Sequence, residues 1–159
     1  MIKPRSSQSL LVVAAAAFLL PTLVSAAPAK KGLVVNSAAE VKWMPTDPSN
    51  PGAPQMAVLS GDPMKGPSSL LLKIQPGTAP MHSHTSAYSA TVIQGPVKHW
   101  DGKDTEAAAS SLPPGSHWSQ PAKQVHGDAC LAPKGSDCVL YIEMAGKFDM
   151  TPAVATAAK

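Results

Sequence analysis

The sequence of 159 residues has few charged and few aromatic side chains, and its only arginine is Arg5. A site that grips phosphate through paired guanidinium groups is therefore excluded. No glycine-rich loop is present that would cradle a phosphate instead. Lysines are neither clustered nor arranged in a stripe, so we expect no nucleic-acid partner and no attraction to an anionic membrane surface.

Carboxylates are scarce near the histidine-rich segments of the chain. Asp128 and Glu143 are the main candidates, and they lack the paired spacing that glycoside hydrolysis requires. We therefore expect no acid–base chemistry that is built on two facing carboxylates.

The longest apolar run, residues 10–20, is too short to cross a bilayer comfortably. It follows the basic residues Lys3 and Arg5 and precedes small residues that end at Ala26, which is the layout of a secretory signal peptide. A membrane anchor is the alternative, and the short run disfavours it. We predict cleavage after Ala26, a periplasmic or secreted mature protein, and no membrane partner after cleavage.

The chain has two cysteines, Cys130 and Cys138, on either side of a segment with proline, glycine and aspartate that predicts a turn. Two strands joined by this turn would bring the cysteines close enough to bridge, and a disulfide is the usual state in an exported protein. A pair of metal-binding or catalytic thiols is the alternative. The spacing fits a stapled hairpin better than a C-x-x-C site.

Proline is abundant, with 17 residues, and this argues against long helices. Short apolar or β-branched runs between glycine and proline turns predict strands instead. The predicted strands include 55–60, 68–74, 88–94, 97–100 and 139–144. Segment 104–111 is alanine-rich, and we interpret it as a surface loop with one helical turn at most. This pattern is typical of an all-β sandwich or barrel.

The organisation that we predict is a single domain behind the leader. Its parts are a signal peptide at 1–26, an N-terminal strand and proline-rich loop at 27–54, a β-barrel at 55–150 and a flexible tail at 151–159.

Three histidines are the most informative feature of the chain. His82 and His84 are separated by one residue, so both side chains point to the same face of a strand. A third histidine on another strand, His126, would complete a facial set of imidazoles. Imidazole nitrogen suits Fe, Zn, Cu, Ni and, with oxygen ligands, Mn. Without a metal, the same residues would be polar groups lining a barrel and needing hydrogen-bond partners.

Two separated motifs resemble those of the cupin superfamily. In the first, Gly77 precedes His82 and His84, and Gly95 closes the motif. Tyr88 stands where the family usually has a glutamate, and the spacer after Gly77 is one residue shorter than usual.

The second motif is in register at Gly115, Pro121 and His126. Lys123 replaces the usual second glycine, and Cys130 replaces the usual asparagine. Together the motifs make the chain similar to small, single-domain, exported bacterial cupins without an assigned general activity.

The resemblance implies a jelly-roll β-barrel with a divalent transition metal inside, held by His82, His84 and His126. Tyr88 lies an even number of residues after His82 and His84, so its side chain can also point into the barrel. It has three interpretations: a phenolate ligand, a hydrogen-bond donor to bound water or substrate, or a ring that fills the barrel. A three-histidine site without a carboxylate resembles that of cupin thiol dioxygenases and diketone-cleaving dioxygenases. The same imidazoles would also hold zinc, so Fe, Zn, Mn, Ni and Cu remain open.

Several residues near the motifs are candidates for the surroundings of the site. Asp128 is either a turn residue or a partner that orients His126. We expect His99 and His117 to be surface or supporting residues rather than ligands. Trp118 either packs in the core or forms an aromatic wall around a substrate.

Two functional classes follow from these observations. One is a metalloenzyme, dioxygenase-like, that acts on a small organic molecule with Tyr88 as proton donor or hydrogen-bond director. The other is a non-catalytic module that binds or senses a small ligand or a metal. The resemblance also implies a homodimer paired through sheet edges.

Overall fold

The computed structural model of the protein describes residues 32–153. The predicted signal peptide and the last residues of the predicted tail, 154–159, lie outside this range, so those predictions are untested. Among the described residues, no helix is long and apolar enough to traverse a membrane.

Residues 32–153 form an all-β structure whose only helical element is a 3-10 turn at Ala38–Glu40. The strands are β1 Met44–Pro45, β2 Gln55–Gly61, β3 Ser68–Ile74, β4 Gly77–Thr78, β5 His82–Ser83, β6 Tyr88–Gln94, β7 Val97–Asp101, β8 His117–Gln120, β9 His126–Cys130, β10 Cys138–Met144 and β11 Thr151–Pro152. Segments 68–74 and 88–94 are strands with the predicted bounds, and 104–111 is a loop with a single turn.

The large sheet has six strands in the order β1-β2-β3-β10-β6-β8, and every pairing within it is antiparallel. Its long strands alternate between buried and more exposed residues, as expected when one face covers a core. The buried face carries Leu70, Val92, Leu140 and Ile142, each at most 4% exposed. These side chains form the centre of the hydrophobic core.

The small sheet has the order β11-β5-β9-β4, and β7 pairs with the whole length of β9. Three of its strands are only two residues long. The central strand is β9, whose Gly127 lies opposite Trp100 of β7. A Cβ atom at Gly127 would lie 2.2 Å from the Trp100 ring, so only glycine fits beneath this indole.

Cys130 and Cys138 form the predicted disulfide, with a Cα–Cα distance of 5.7 Å. The predicted hairpin around it is wrong, because β9 belongs to the small sheet and β10 to the large one. The bond therefore ties the two sheets together. Gly95 turns beside it with φ of 73°, and a Cβ atom there would lie 2.7 Å from the Cys138 sulfur.

The start of the predicted flexible tail has a defined structure. Thr151 and Pro152 form β11, which pairs with Ser83 and His82 of β5, and the Ala153 amide donates to the Met81 carbonyl. Two packed antiparallel sheets with this order confirm the predicted jelly-roll β-barrel.

Candidate metal centre

The three predicted histidine ligands meet inside the barrel. His82 lies on β5 and is paired directly opposite His126 on β9, while His84 follows β5 by one residue. Potential ligand atoms of the three rings all lie within 4.8 Å of one another. His82 and His126 are buried, and His84 is half-buried. The parity argument from the sequence therefore predicts the direction of these side chains correctly.

Each of the three rings has its Nδ1 atom hydrogen-bonded to a backbone carbonyl. The acceptors are Pro80 for His82 at 2.8 Å, Asp149 for His84, and Gln124 for His126 at 3.0 Å. A carbonyl only accepts, so Nδ1 carries the hydrogen in all three rings. In the neutral form of each ring, Nε2 then carries a lone pair, and this is the tautomer in which histidine binds a metal through Nε2.

Burial favours the neutral form of the rings. It lowers the pKa of His126 to about 4, against a smaller opposite effect of the Gln124 carbonyl and of Asp128. Burial also lowers the pKa of His84. Neutral imidazole is the form that binds a metal, so these two ligands are ready to do so at neutral pH.

Asp128 faces the same cluster from β9, two residues after His126. Its Oδ2 atom lies 3.5 Å from Nε2 of His82 and 3.8 Å from Nε2 of His126, and its side chain is 19% exposed. Burial acts to raise the pKa of this carboxyl, but the hydrogen bond from His99 and the neighbouring imidazoles outweigh it and hold the pKa below its ordinary value. A carboxylate is therefore part of the site.

His99 is a supporting residue of the site, which is one of the two roles that the sequence predicts for it. Its Nδ1 donates to Oδ1 of Asp128 at 2.7 Å, and its Nε2 donates to Oε1 of Gln120 at 2.9 Å. The amide nitrogen of Gln120 in turn faces the carbonyls of Pro121 and Gln124, which fixes the amide orientation. Both ring nitrogens of His99 thus face oxygen atoms, which fixes the orientation of the ring against Asp128.

Tyr88 points into the barrel beside this cluster. It is 8% exposed, and its hydroxyl lies 3.3 Å from Nε2 of His126. Burial, helped by the charge of Asp128, raises the pKa of the phenol well above its usual value. Tyr88 is therefore a neutral O–H donor here, which favours the hydrogen-bonding interpretation over the phenolate ligand.

Trp118 also lines the interior, and His117 does not. The Trp118 ring stacks on His99 with 4.7 Å between ring centroids, and its buried N–H has no hydrogen-bond acceptor among residues 32–153. His117 is exposed and hydrogen-bonds Thr91 at 3.1 Å, so it lies outside the cluster. The difference follows from strand parity, because neighbouring residues of β8 face opposite sides of the sheet.

The loop before β9 keeps the backbone shape of the motif without its glycine. Lys123 occupies the place of the usual glycine and has φ of 64°, in the left-handed region that glycine adopts most easily. The Lys123 amide donates to the His84 carbonyl at 2.7 Å. This loop therefore ties the segment after β5 to the strand that carries His126.

Two clefts adjoin the buried cluster. One, of ≈ 410 Å³, is lined by His99, Gln120 and Gln124 among others. The second, of ≈ 500 Å³, is lined by Tyr88, Gln120 and Met144 among others. Both volumes fall within the range of small-molecule sites. Gln120 lines both clefts.

The donor set fits the metal that the sequence motifs imply. Three converging imidazoles are a ligand set for Fe, Zn, Cu or Ni, and a carboxylate oxygen beside them also suits Mn. Each ring is oriented by a hydrogen bond at its other nitrogen, which is the usual support of metal-binding histidines.

Solved structures with a similar fold include an RmlC-like cupin and two proteins of other names. KdgF from Halomonas sp. is 21% identical, with 69% of this chain and 92% of that chain covered and a TM-score of 0.51. The polyketide cyclase RemF from Streptomyces resistomycificus is 15% identical, with 79% and 88% covered and a TM-score of 0.59. An RmlC-like cupin from Ralstonia eutropha is 19% identical, with 76% and 80% covered and a TM-score of 0.56.

A search among curated proteins found no match. Residues 28–159 match the family described as a domain of unknown function, DUF4437. The chain has the cupin fold and belongs to the DUF4437 family.

Proposed function

We propose that this protein is a metal-dependent enzyme that acts on a small organic molecule, with His82, His84 and His126 holding one divalent transition metal ion. The observation that carries the proposal is the shared orientation of the three rings. Every Nδ1 faces a backbone carbonyl, and one potential ligand atom from each ring lies within 4.8 Å of the other two. Imidazoles that are held at one nitrogen by a backbone carbonyl and converge at the other are the usual arrangement of a histidine metal site.

An ion bound there would supply Lewis-acid or redox chemistry. The protein's own residues would bind and orient the substrate. The hydroxyl of Tyr88 donates to His126 in this structure, and it is free to turn to a substrate atom once that lone pair is engaged. The unpaired N–H of Trp118 is a second donor inside the barrel. Two donors beside the site favour a substrate with electronegative atoms.

The similarity to an enzyme of the same fold supports a catalytic role. RemF is a polyketide cyclase, and it shares the barrel of this chain at 15% identity. The identity is too low to transfer its reaction. The sequence resemblance implies dioxygenase-like activity for three histidines without a carboxylate. Because Asp128 places a carboxylate beside the histidines, oxidative and non-oxidative reactions are assayed together.

The metal site is tested by the metal content of untagged protein, measured by plasma mass spectrometry. We expect near-stoichiometric metal in the unaltered protein and none in the His82→Ala/His126→Ala variant. His117→Ala is the matched control, because this histidine is exposed and outside the cluster, and it should retain the metal. Absence of metal from the unaltered protein, even after reconstitution, would overturn the proposal.

Catalysis is tested by oxygen uptake and product analysis with the metal-loaded protein and a panel of small thiols and diketones. We expect turnover that falls strongly in Tyr88→Phe, a change that removes only the hydroxyl. Ligand-dependent thermal stabilisation without turnover would instead support the non-catalytic binding module.

The same proposal includes export to an oxidising compartment. The Cys130–Cys138 disulfide supports it, because disulfides persist mainly outside the reducing cytosol. Fractionation of expressing cells, followed by mass determination of the mature chain, tests it. A full-length chain in the cytosol with both thiols free would contradict export.

A further inference from the structure

We infer that Asp128 supplies the carboxylate ligand that the site lacks at Tyr88, so that three imidazoles and one carboxylate hold the ion. The inference rests on the proposed metal site and adds a fourth ligand to it. The carboxylate would then come from β9, the strand of His126, and not from the position of Tyr88 at the start of β6.

The distances from Asp128 to two of the three histidines fit a shared ion, whereas the group of ligand atoms that all lie within 4.8 Å of one another contains only the three histidines. Two ligand atoms that are each ~2.1 Å from one metal lie ~3.0–3.4 Å apart at octahedral to tetrahedral angles. Oδ2 of Asp128 lies 3.5 Å from Nε2 of His82 and 3.8 Å from Nε2 of His126. The separations exceed the bound values by a few tenths of an ångström, so a small closure around an ion would bring this oxygen into the coordination sphere.

The facing atoms are all of kinds that bind metals. Nδ1 of His82 and of His126 each faces a backbone carbonyl, and Nε2 of both rings is turned towards Oδ2 of Asp128. Imidazole nitrogen and carboxylate oxygen both bind divalent transition metals, so the three atoms together form a ligand set for one ion.

The carboxylate is held in the orientation that ligation needs. Its Oδ1 accepts a hydrogen bond from His99 at 2.7 Å, which leaves Oδ2 to face the cluster. His99 is itself fixed by Gln120 at 2.9 Å and by stacking on Trp118. Ligating carboxylates in proteins are commonly supported by hydrogen bonds of this kind.

The strand arrangement provides the same geometry on both sides of the site. His82 and His84 are two residues apart on one chain segment, and His126 and Asp128 are two residues apart on β9. Each pair shares a face, and His82 lies directly opposite His126 in the antiparallel register. The two pairs of side chains, each with one residue between its members, therefore converge on one point.

Cobalt(II) titration of the metal-free protein tests the inference, with affinity from competition and coordination from the visible absorption spectrum. We expect Asp128→Asn and Asp128→Ala to change the spectrum and to weaken Co²⁺ binding more than the roughly 10–100-fold that loss of an orienting partner costs. Glu143→Gln is the matched control. It removes one carboxylate from an exposed position on β10 and should leave both readouts unchanged.

The outcomes separate the two proposals. If the unaltered protein binds no Co²⁺, the proposed metal site fails and the inference fails with it. If the unaltered protein and a folded Asp128→Asn variant bind Co²⁺ with the same spectrum, the inference is overturned and the three-histidine site stands. Asp128→Asn keeps the side-chain volume and an oxygen for His99, so circular dichroism should show a native fold.

Discussion

The two sheets of the barrel differ in the side chains that they place in the interior. The large sheet contains four strands of seven residues, and its buried face is mainly aliphatic. The small sheet is built from strands of two and five residues, and it contributes His82, His126, Asp128 and His99. The large sheet adds only neutral polar groups to the site, such as those of Tyr88 and Gln120.

The difference shows how a small barrel combines stability with a polar interior. Aliphatic side chains on long strands provide the hydrophobic free energy, and this offsets the cost of burying imidazoles and a carboxylate across the barrel. Short strands are sufficient for the polar half because its side chains are held by hydrogen bonds to backbone carbonyls and to one another. Substitutions in the two sheets should therefore have different consequences.

The largest effect on stability is expected from the core of the large sheet. Leu70→Ala should lower the free energy of unfolding by about 2–5 kcal/mol, because Leu70 is fully buried and its loss leaves a cavity. Urea denaturation of the metal-free protein measures this. Leu59→Ala, at a position that is 41% exposed on the same sheet, should cost less than about 1 kcal/mol.

The metal stoichiometry of folded Leu70→Ala should equal that of the unaltered protein. Loss of the metal from a variant that remains folded would contradict the separate roles of the two sheets. It would show that the aliphatic core of the large sheet also positions the ligands.

Removal of the bond between the sheets should have the next largest effect. Cys130→Ala/Cys138→Ala should lose about 2–3 kcal/mol of stability, because the disulfide restricts the unfolded chain. Thermal unfolding with and without reductant measures it. Reductant should destabilise the unaltered protein by a similar amount and leave the variant unaffected, and equal stability of all four samples would refute the expectation.

A substitution inside the small sheet should affect the metal as well as stability. Gly127→Ala places a methyl group 2.2 Å from the Trp100 ring and 2.7 Å from the Met81 sulfur, which should cost about 1–3 kcal/mol. Because Gly127 lies between His126 and Asp128, we expect Co²⁺ affinity to fall at least about tenfold.

Gly66→Ala is the matched control for this substitution, since a Cβ atom there meets nothing within 4 Å. It should change neither stability nor affinity appreciably. If Gly127→Ala lost stability but bound Co²⁺ normally, the small sheet would be less tightly coupled to the site than its geometry indicates.

The smallest effect is expected at Lys123, in the loop that enters the small sheet. Lys123→Gly should raise the free energy of unfolding by up to about 1 kcal/mol, because a left-handed backbone costs a non-glycine residue about that much. Chemical denaturation detects the gain. Lys123→Ala keeps the strain and should show no gain, and both variants should bind metal as the unaltered protein does.

Local patterns in the sequence predict the part of the site that lies on single strands. Strand parity predicts the direction of His82 and His84, and the spacing of the second motif identifies His126. Two of the four long strands, β3 and β6, follow with their exact bounds from short apolar or β-branched runs between turns. In each case the information lies within a few neighbouring residues.

The unpredicted part depends on pairings between distant segments. His99 reaches Asp128 because β7 pairs with β9 in one particular register, and no motif around His99 indicates it. The two cysteines that form the disulfide are correctly predicted. The predicted hairpin between them is wrong because the chain passes from one sheet to the other at this point. The strand β11 was missed because two residues carry no periodicity, and backbone pairing with β5 holds them.

That pairing with β5 has a consequence for how the protein is made. The acceptor that orients His84 is the carbonyl of Asp149, 65 residues further along the chain. While a ribosome is still short of that point, His84 is translated but its ring is not yet held. We therefore expect the ring of His84 to be held in place only after the segment through β11 has emerged and docked. Expression fragments and fusion junctions should accordingly preserve the chain through Ala153.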